Sequence, residues 1–153
     1  MERKDVRIRR LWAEDDQLEE CIGPINALLR VLSEDKPKPY QIDLGDLMLA
    51  LDSDDFALYV LEVDGEIAGM GSLHFHRTLT KQTAYIEDVV VLPRFHGKGF
   101  GKMIMRRLID HAKEEEVRFI ELTSHPRRIA ANKLYQKLGF VIPETNLYRL
   151  FLE

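Results

Sequence analysis

The turn at residues 94–102 has the residue types of a phosphate-binding site. Glycines alternate with other residues at Gly97, Gly99 and Gly101, and glycine lets a backbone turn tightly and come close to a ligand. An amphipathic segment at residues 103–112 follows and is predicted to be a helix. The start of a helix offers unpaired N–H groups and the positive end of its dipole. We therefore expect an anion here, and a phosphate-bearing ligand is its natural occupant.

Basic side chains reinforce this expectation. Between Val89 and Ile109 the chain has no aspartate or glutamate. The basic residues of the same stretch are Arg94, Lys98, Lys102, Arg106 and Arg107. The whole chain has a net charge of −4, so a general attraction for nucleic acid is not expected and the basic cluster is local to the turn.

Two familiar phosphate motifs do not fit the turn. A Walker A loop requires glycine ahead of the Gly101-Lys102 pair and serine or threonine after it, but those places hold His96 and Met103. A dinucleotide fingerprint would require glycine where Lys102 stands. The ligand is therefore bound by a different class of loop.

The turn resembles the acetyl-CoA loop of the GNAT superfamily of N-acetyltransferases, whose pattern is Arg or Gln, two residues, Gly, one residue, then Gly or Ala. Arg94, Gly97 and Gly99 match this pattern. The resemblance continues in the apolar strand at residues 85–91 and in the block at residues 132–140. Together these pieces are specific, whereas each alone would be weak.

The resemblance implies acetyl-CoA as cosubstrate. No metal is expected, because His74 and His76 share one strand face but no third ligand is evident. Backbone groups of Val89 and Val91 would bind the pantetheine arm as an added strand, where strands four and five separate. Backbone amides of residues 97–102 would hold the pyrophosphate. The cofactor-binding residues implied are Val89, Val91, Arg94, His96, Gly97, Lys98, Gly99, Phe100, Gly101, Lys102, Asn132 and Tyr135.

The implied reaction is direct attack by a primary amine on the thioester in a ternary complex. An alkyl amine with a pKa of about 10.4 is almost entirely protonated at neutral pH, so a proton acceptor is needed. Glu87 and Asp88 are the candidates, and Glu87 matches the general base of several relatives. Neighbouring residues of a strand point to opposite faces, so we expect at most one of the two to face the acceptor.

Tyr135 matches the general acid of the family. A tyrosine, with a pKa near about 10, is a weaker acid than the thiol being formed, near about 8.5. Tyr135 therefore stabilises the leaving thiolate by hydrogen bonding as much as by proton donation. Asn132 and Arg128 precede it on the same helical face.

The elements that position these residues predict an α+β protein with the GNAT fold: a mixed, mostly antiparallel sheet of about six to seven strands, flanked by helices on both faces. The alternation of apolar residues and the turn signals place the strands. The predicted strands are residues 6–11, 56–63, 66–76, 82–92, 117–123, 140–142 and 147–152. The predicted helices are one interrupted helix or two short ones at residues 18–32, and others at residues 43–51, 103–116 and 127–138.

Composition predicts one ordinary globular domain at residues 1–153, because 45% of the residues are apolar and 31% are charged. The single Cys21 excludes an internal disulfide. No signal-like block follows the first residues, and no apolar run approaches the roughly 20 residues of a bilayer-spanning helix. We expect a cytoplasmic protein that binds no membrane.

The acceptor amine is the part of the implied reaction that the sequence specifies least. The segments that match the superfamily least, residues 33–40 and 143–147, are those that choose it, so small amines, antibiotics and protein amines (lysine or N-terminal) are all open. A small molecule is preferred because the compact, acidic chain has no evident peptide-binding extension. A non-catalytic acyl-CoA-binding or sensing module is the alternative from another class. A homodimer through the final strands is a further expectation.

Overall fold

The computed structural model describes residues 4–152. The chain divides after Leu122 into two compact units. The first unit contains strands β1 (Val6–Leu11), β2 (Phe56–Val63), β3 (Glu66–Arg77), β4 (Gln82–Val91) and β5 (Ile120–Glu121), and helices α1 (Ile22–Leu32), α2 (Leu44–Leu51) and α3 (Phe100–Glu114). The second unit contains α4 (Ile129–Lys137).

The five strands of the first unit form one sheet in sequence order. Each of β1 to β4 is antiparallel to the next, and β5 is parallel to β4. The β2–β3 hairpin turns at Asp64 and Gly65, whose φ angles are 50° and 83°, as a two-residue turn with an Asp-Gly pair requires. The predicted hairpin and the predicted parallel crossover through α3 are therefore confirmed.

Helices cover both faces of the sheet. Alternate residues of β2 point to opposite faces: Leu58 and Val60 join the core packed against α1 and α2, whereas Tyr59 contacts α3 at His111. The core on the first face contains Leu11, Leu18, Cys21, Ile25, Leu28, Leu29, Leu47, Leu51, Leu58, Val60, Ile67, Met70 and Val90. The fold class predicted from the sequence is confirmed.

Two glycines of β3 let α3 lie directly on the sheet. A Cβ atom at Gly71 would stand 2.8 Å from Ile104 Cγ2 and 2.9 Å from Leu108 Cδ1. At Gly69 it would stand 2.9 Å from Ile104 Cδ1. Real Cβ atoms do not approach so closely, so these positions require glycine. This contact holds α3, whose start carries the anion turn, against β3.

The prediction of six to seven strands is wrong in its last members. In the described residues 140–152 no strand forms, although the apolar alternation is present, and β5 has two residues instead of the predicted 117–123. Alternation describes a side-chain pattern, whereas a strand also requires a neighbouring edge with which to exchange hydrogen bonds. Pro143 also removes one backbone donor from this segment. No helix within residues 4–152 combines the length and the apolar character needed to cross a membrane.

Candidate functional site

The anion turn has the geometry predicted from its glycines. After β4 ends at Val91, a 3-10 turn at Pro93–Phe95 leads to Gly97 and Gly99, whose φ angles are 77° and 80°. Gly99 is the N-cap of α3 and has no side chain with which to cap it. The N–H groups in the first turn of a helix have no partner within the helix. They therefore face the turn, together with the positive end of the helix dipole.

Charges at the turn come from exposed basic side chains. Arg94, Lys98 and Lys102 are all exposed, and the first two lie over the ring of Phe95, at 4.9 Å and 5.7 Å from its centroid. Arg94 also forms an ion pair with Glu66 at the start of β3. This acid is far away in the sequence, so the local absence of acidic residues did not reveal it. The register between β3 and β4 brings it to the turn.

The second half of β4 has an open edge. Among the described residues, β5 pairs only with Ala84 and Tyr85 of β4. On the other side, Leu92 N–H donates to the carbonyl of Ala68 at 2.9 Å. Because backbone groups alternate in direction along a strand, the N–H and C=O groups of Val89 and Val91 point to the open edge. This is the arrangement expected for an added strand-like ligand.

His96 already contacts this edge. Its Nε2 lies 2.7 Å from the carbonyl oxygen of Val91. A carbonyl can only accept, so the imidazole donates from Nε2, which fixes its tautomer. The resemblance implied that His96 binds the cofactor but did not indicate which atoms it contacts. In the structure it caps one of the two carbonyls predicted to bind the cofactor.

A β-bulge interrupts β4 beside this edge. Ser72 pairs with Glu87 and Met70 pairs with Val90, so two residues of β4 lie opposite one of β3. The bulged residue, Asp88, has a φ of 56°. Such a bulge breaks the alternation of side chains and re-aims one of them.

The bulge overturns the prediction that Glu87 and Asp88 point to opposite faces. Residues paired across antiparallel strands share a face, so Glu87 lies on the face of Ser72. Ser72 Oγ is also 2.9 Å from Asp88 Oδ2. Both carboxylates therefore lie on the same side of β4, and both are exposed. Strict alternation, on which the prediction rested, holds only for a regular strand.

The environment of Asp88 contains two further polar groups. The hydroxyl of Ser72, a residue with no exposed surface, lies 3.1 Å from the carbonyl of Glu87. His74 Nε2 lies 3.2 Å from the same hydroxyl. Ser72 could not be predicted from the sequence, because an isolated serine in a strand has no distinguishing local pattern. No three histidine, cysteine, aspartate or glutamate side chains within residues 4–152 form a metal-binding group.

In the second unit, α4 carries the two remaining predicted residues. Tyr135 is buried, and its ring centroid is 6.2 Å from that of Phe140. Burial raises the pKa of Tyr135 above its usual value of 10.0, and the charge of Arg128 opposes this in part. The phenol is therefore protonated at neutral pH and able to donate a hydrogen bond.

Asn132 holds the start of α4. Its Nδ2 donates to the carbonyls of His125 at 2.9 Å and Arg128 at 2.8 Å. These bonds occupy the amide donors within the second unit itself. The structure thus places Glu87 and the cofactor residues 89–102 together in the first unit, and Asn132 and Tyr135 on one helix of the second.

Residues 25–140 match the model of the Acetyltransferase (GNAT) family. Streptothricin acetyltransferase of Streptomyces lavendulae is 29% identical over 89 residues, which cover 58% of this chain and 46% of that protein. The chain therefore spans less than half the length of this relative.

Two solved structures have the same fold. An aminoglycoside acetyltransferase from an uncultured soil metagenomic sample, in complex with trehalose, has a TM-score of 0.81 at 19% identity, covering 97% of this chain and 96% of its own. The aminoglycoside N-acetyltransferase AAC(6')-Iy, in complex with CoA, has a TM-score of 0.75 at 20% identity, covering 98% and 97%. At these identities the likeness establishes the fold.

Proposed function

Because the chain belongs to the GNAT acetyltransferase family, we propose that it transfers an acetyl group from acetyl-CoA to a primary amine. One observation carries the proposal: the glycine turn that opens α3 and the open edge of β4 meet in one unit. The first suits the pyrophosphate of CoA and the second suits its pantetheine arm. A structure of the same fold holds CoA, which supports this choice of cosubstrate.

In this proposal the backbone amides of residues 97–102 bind the pyrophosphate. The side chains of Arg94, Lys98 and Lys102 balance its charge. Backbone groups of Val89 and Val91 bind the pantetheine amides, and His96 releases the carbonyl of Val91 when they do. Phe100, which is buried, anchors the first turn of α3 so that its N–H groups keep their direction. Asn132 is assigned to the cofactor by the resemblance alone.

The amine attacks the thioester carbonyl after it has lost a proton. The two carboxylates at the bulge, Glu87 and Asp88, are the groups that can accept this proton. The resemblance favours Glu87. The N–H of Val89 is assigned to the oxygen of the tetrahedral intermediate, whose negative charge a backbone donor stabilises. Tyr135, kept protonated by burial, is assigned to the leaving thiolate.

We further propose a small molecule as acceptor, a single domain at residues 1–153 and a homodimer. The family match spans both units, at residues 25–140, which supports the single domain. Exposed apolar side chains in residues 141–152 support self-association through this segment. The acceptor is proposed from the compact acidic chain and from the small-molecule names of relatives such as streptothricin acetyltransferase.

Release of free CoA from acetyl-CoA, measured over a panel of small amines and lysine peptides, tests the proposal. We expect turnover with one class of amine and about a hundredfold lower kcat in Tyr135→Phe, with acetyl-CoA binding intact. Tight binding of acetyl-CoA with no turnover on any amine would favour a sensing module instead. Turnover confined to lysine peptides would replace the small-molecule acceptor with a protein amine.

A further inference from the structure

Three polar side chains form a continuous hydrogen-bonded chain across β3 and β4. Asp88 Oδ2 is 2.9 Å from Ser72 Oγ, which is 3.2 Å from His74 Nε2. Ser72 is fully buried, His74 is half-buried and Asp88 is exposed. The chain therefore links a carboxylate at the bulge to an imidazole two residues along the neighbouring strand.

The directions of these hydrogen bonds follow from the available protons. A serine hydroxyl donates one hydrogen bond and accepts others. Both the Asp88 carboxylate and the Glu87 carbonyl, at 2.9 Å and 3.1 Å, can only accept, so the hydroxyl proton of Ser72 lies on their side. His74 must then donate its Nε2–H to Ser72 Oγ. Each group thus orients the next, ending at the carboxylate.

The two candidate carboxylates differ in how they are held. Glu87 extends into solvent, and within residues 4–152 its carboxylate has no hydrogen bond or ion pair, so its longer side chain is free to rotate. Asp88 is fixed by the bulge backbone at φ 56° and by the buried hydroxyl. A catalytic group is effective when the surrounding structure already holds it in place. This difference favours Asp88.

Accepting the proposed acetyl transfer, we propose that Asp88 takes the proton of the acceptor amine and that Ser72 and His74 are its positioning residues. The ammonium N–H bond breaks and an O–H bond forms at Oδ1, the oxygen not bonded to Ser72. The freed electron pair makes the C–N bond of the tetrahedral intermediate, and the C–S bond breaks when this intermediate collapses. The thiolate takes the second amine proton through Tyr135 or water, and Asp88 returns its proton to solvent.

Few charged groups surround the imidazole that ends this chain. Asp88 reaches it through Ser72, and Glu87 lies opposite Ser72. Tyr85 pairs with His74 across β4, His76 follows on the same face, and the ring of Phe56 packs edge-on at 5.0 Å. In the described part of the chain, α1 and α2 make no charged contact with His74.

Steady-state kinetics test the assignment, with circular dichroism and acetyl-CoA binding as controls for folding. We expect Asp88→Asn to lower kcat by about a hundredfold without weakening acetyl-CoA binding. Glu87→Gln should lower it by less than about tenfold. This order is the reverse of that expected if Glu87 takes the proton.

Variants of Ser72 and His74 test the positioning role of these two residues separately. His74→Ala and Ser72→Ala should each lower kcat by about tenfold while leaving the KM for acetyl-CoA unchanged, because the carboxylate loses the group that holds it in place. His74→Gln, whose amide N–H can still donate to Ser72, should recover most of the loss. His76→Ala is the matched control on the same strand face and should behave as wild type.

Three results would overturn the inference. Wild-type kcat in Asp88→Asn would contradict the role of this carboxylate, and wild-type kcat in both His74→Ala and Ser72→Ala would contradict the role of the positioning residues. If the wild-type protein releases no CoA with any amine, the proposed function fails and this inference fails with it. Turnover in the wild type together with an unaffected Asp88→Asn would instead leave the proposed function standing.

Discussion

Gly99 begins α3 in the left-handed backbone conformation, at φ 80°, and the place of its missing side chain is open space. Any substitution there is strained, but asparagine tolerates this conformation better than most residues. Gly99→Asp and Gly99→Asn therefore form a pair that differs mainly in charge. Comparing them separates the charge of the turn from its shape.

We expect acetyl-CoA to bind Gly99→Asp at least about tenfold more weakly than Gly99→Asn, since a carboxylate near a pyrophosphate costs more than about 1.4 kcal/mol. Isothermal titration calorimetry measures the two dissociation constants. Raising the salt concentration should narrow the difference between them. Equal affinities for the two variants would contradict a pyrophosphate at this turn.

His111 is a buried histidine outside the proposed chemistry. Its Nδ1 is 3.0 Å from the hydroxyl of Tyr59, and its ring packs against Phe75. Burial lowers the pKa of His111 below its usual 6.5; Arg10 acts in the same direction and Glu115 opposes it. The folded protein therefore keeps this imidazole neutral where the unfolded chain would bind a proton.

The sign of the resulting pH dependence follows from this difference. Below about pH 6.5 the unfolded state binds more protons at this position, so the free energy of unfolding decreases as the pH falls towards the lowered folded pKa. The loss is at most about 1.4 kcal/mol per pH unit. We expect His111→Gln to lose less stability than wild type between neutral and acidic pH, measured by urea unfolding. Parallel profiles would contradict this assignment, because the remaining histidines are common to both proteins.

At the scale of the elements, the contact between α3 and β3 depends on Gly71. We expect Gly71→Ala to lower the free energy of unfolding by about 1–3 kcal/mol, because the new Cβ would press on Ile104 and Leu108. Gly23→Ala in α1 is the matched control, since nothing lies within 4 Å of its Cβ position. It should leave stability unchanged or raise it by up to about 1 kcal/mol. Denaturant unfolding measures both, and equal effects would mean that the helix is not held by this close approach.

The elements that the sequence predicted well carry their own local signals. The Asp64-Gly65 hairpin and the order strand, glycine turn, helix around Gly99 were both readable because turn chemistry and periodicity lie within a few residues. The ion pair between Arg94 and Glu66 could not be predicted from the sequence, since it depends on how β3 and β4 align. The bulge at Asp88 escaped for the same reason. The bulge arises from the register of two strands. It places the carboxylate of Asp88 on the same face as Glu87, whereas strict alternation predicts opposite faces.

Residues 140–152 show the opposite error. Alternating apolar residues predicted strands at 140–142 and 147–152, yet the backbone there pairs with no strand among the described residues, and the side chains of residues 141–152 are exposed. The pattern was read correctly as strand-like, but the partner that would complete a strand is not supplied by the described chain. A local sequence pattern can indicate that a segment could form a strand without indicating which other strand it would pair with.

At the scale of the whole molecule, residues 141–152 form an apolar segment that favours association. Its exposed large apolar residues are Val141, Ile142, Leu147, Tyr148, Leu150, Phe151 and Leu152. Isolated exposed apolar side chains are ordinary, but contiguous ones mark interaction surfaces. We therefore expect concentration-dependent dimerisation in sedimentation velocity.

Substitutions test this segment directly. Leu150→Asp with Leu152→Asp should shift the protein towards monomer, because each carboxylate opposes burial in an interface. Leu79→Asp is the matched control, since Leu79 stands fully exposed and alone in the β3–β4 turn. It should leave the sedimentation coefficient unchanged. If the wild-type protein stays monomeric at high concentration, the proposed homodimer is contradicted.

The open edge of β4 also has a consequence for the persistence of the protein. Unpaired strand edges are templates for misassembly, and bulges and side chains that occupy the edge reduce this hazard. Here Asp88 interrupts the edge and His96 covers one carbonyl, and a ligand bound along β4 would cover more of it. A cosubstrate bound along this edge would then stabilise the folded protein. Depletion of CoA would therefore shorten the lifetime of the folded enzyme and also deprive it of acetyl groups.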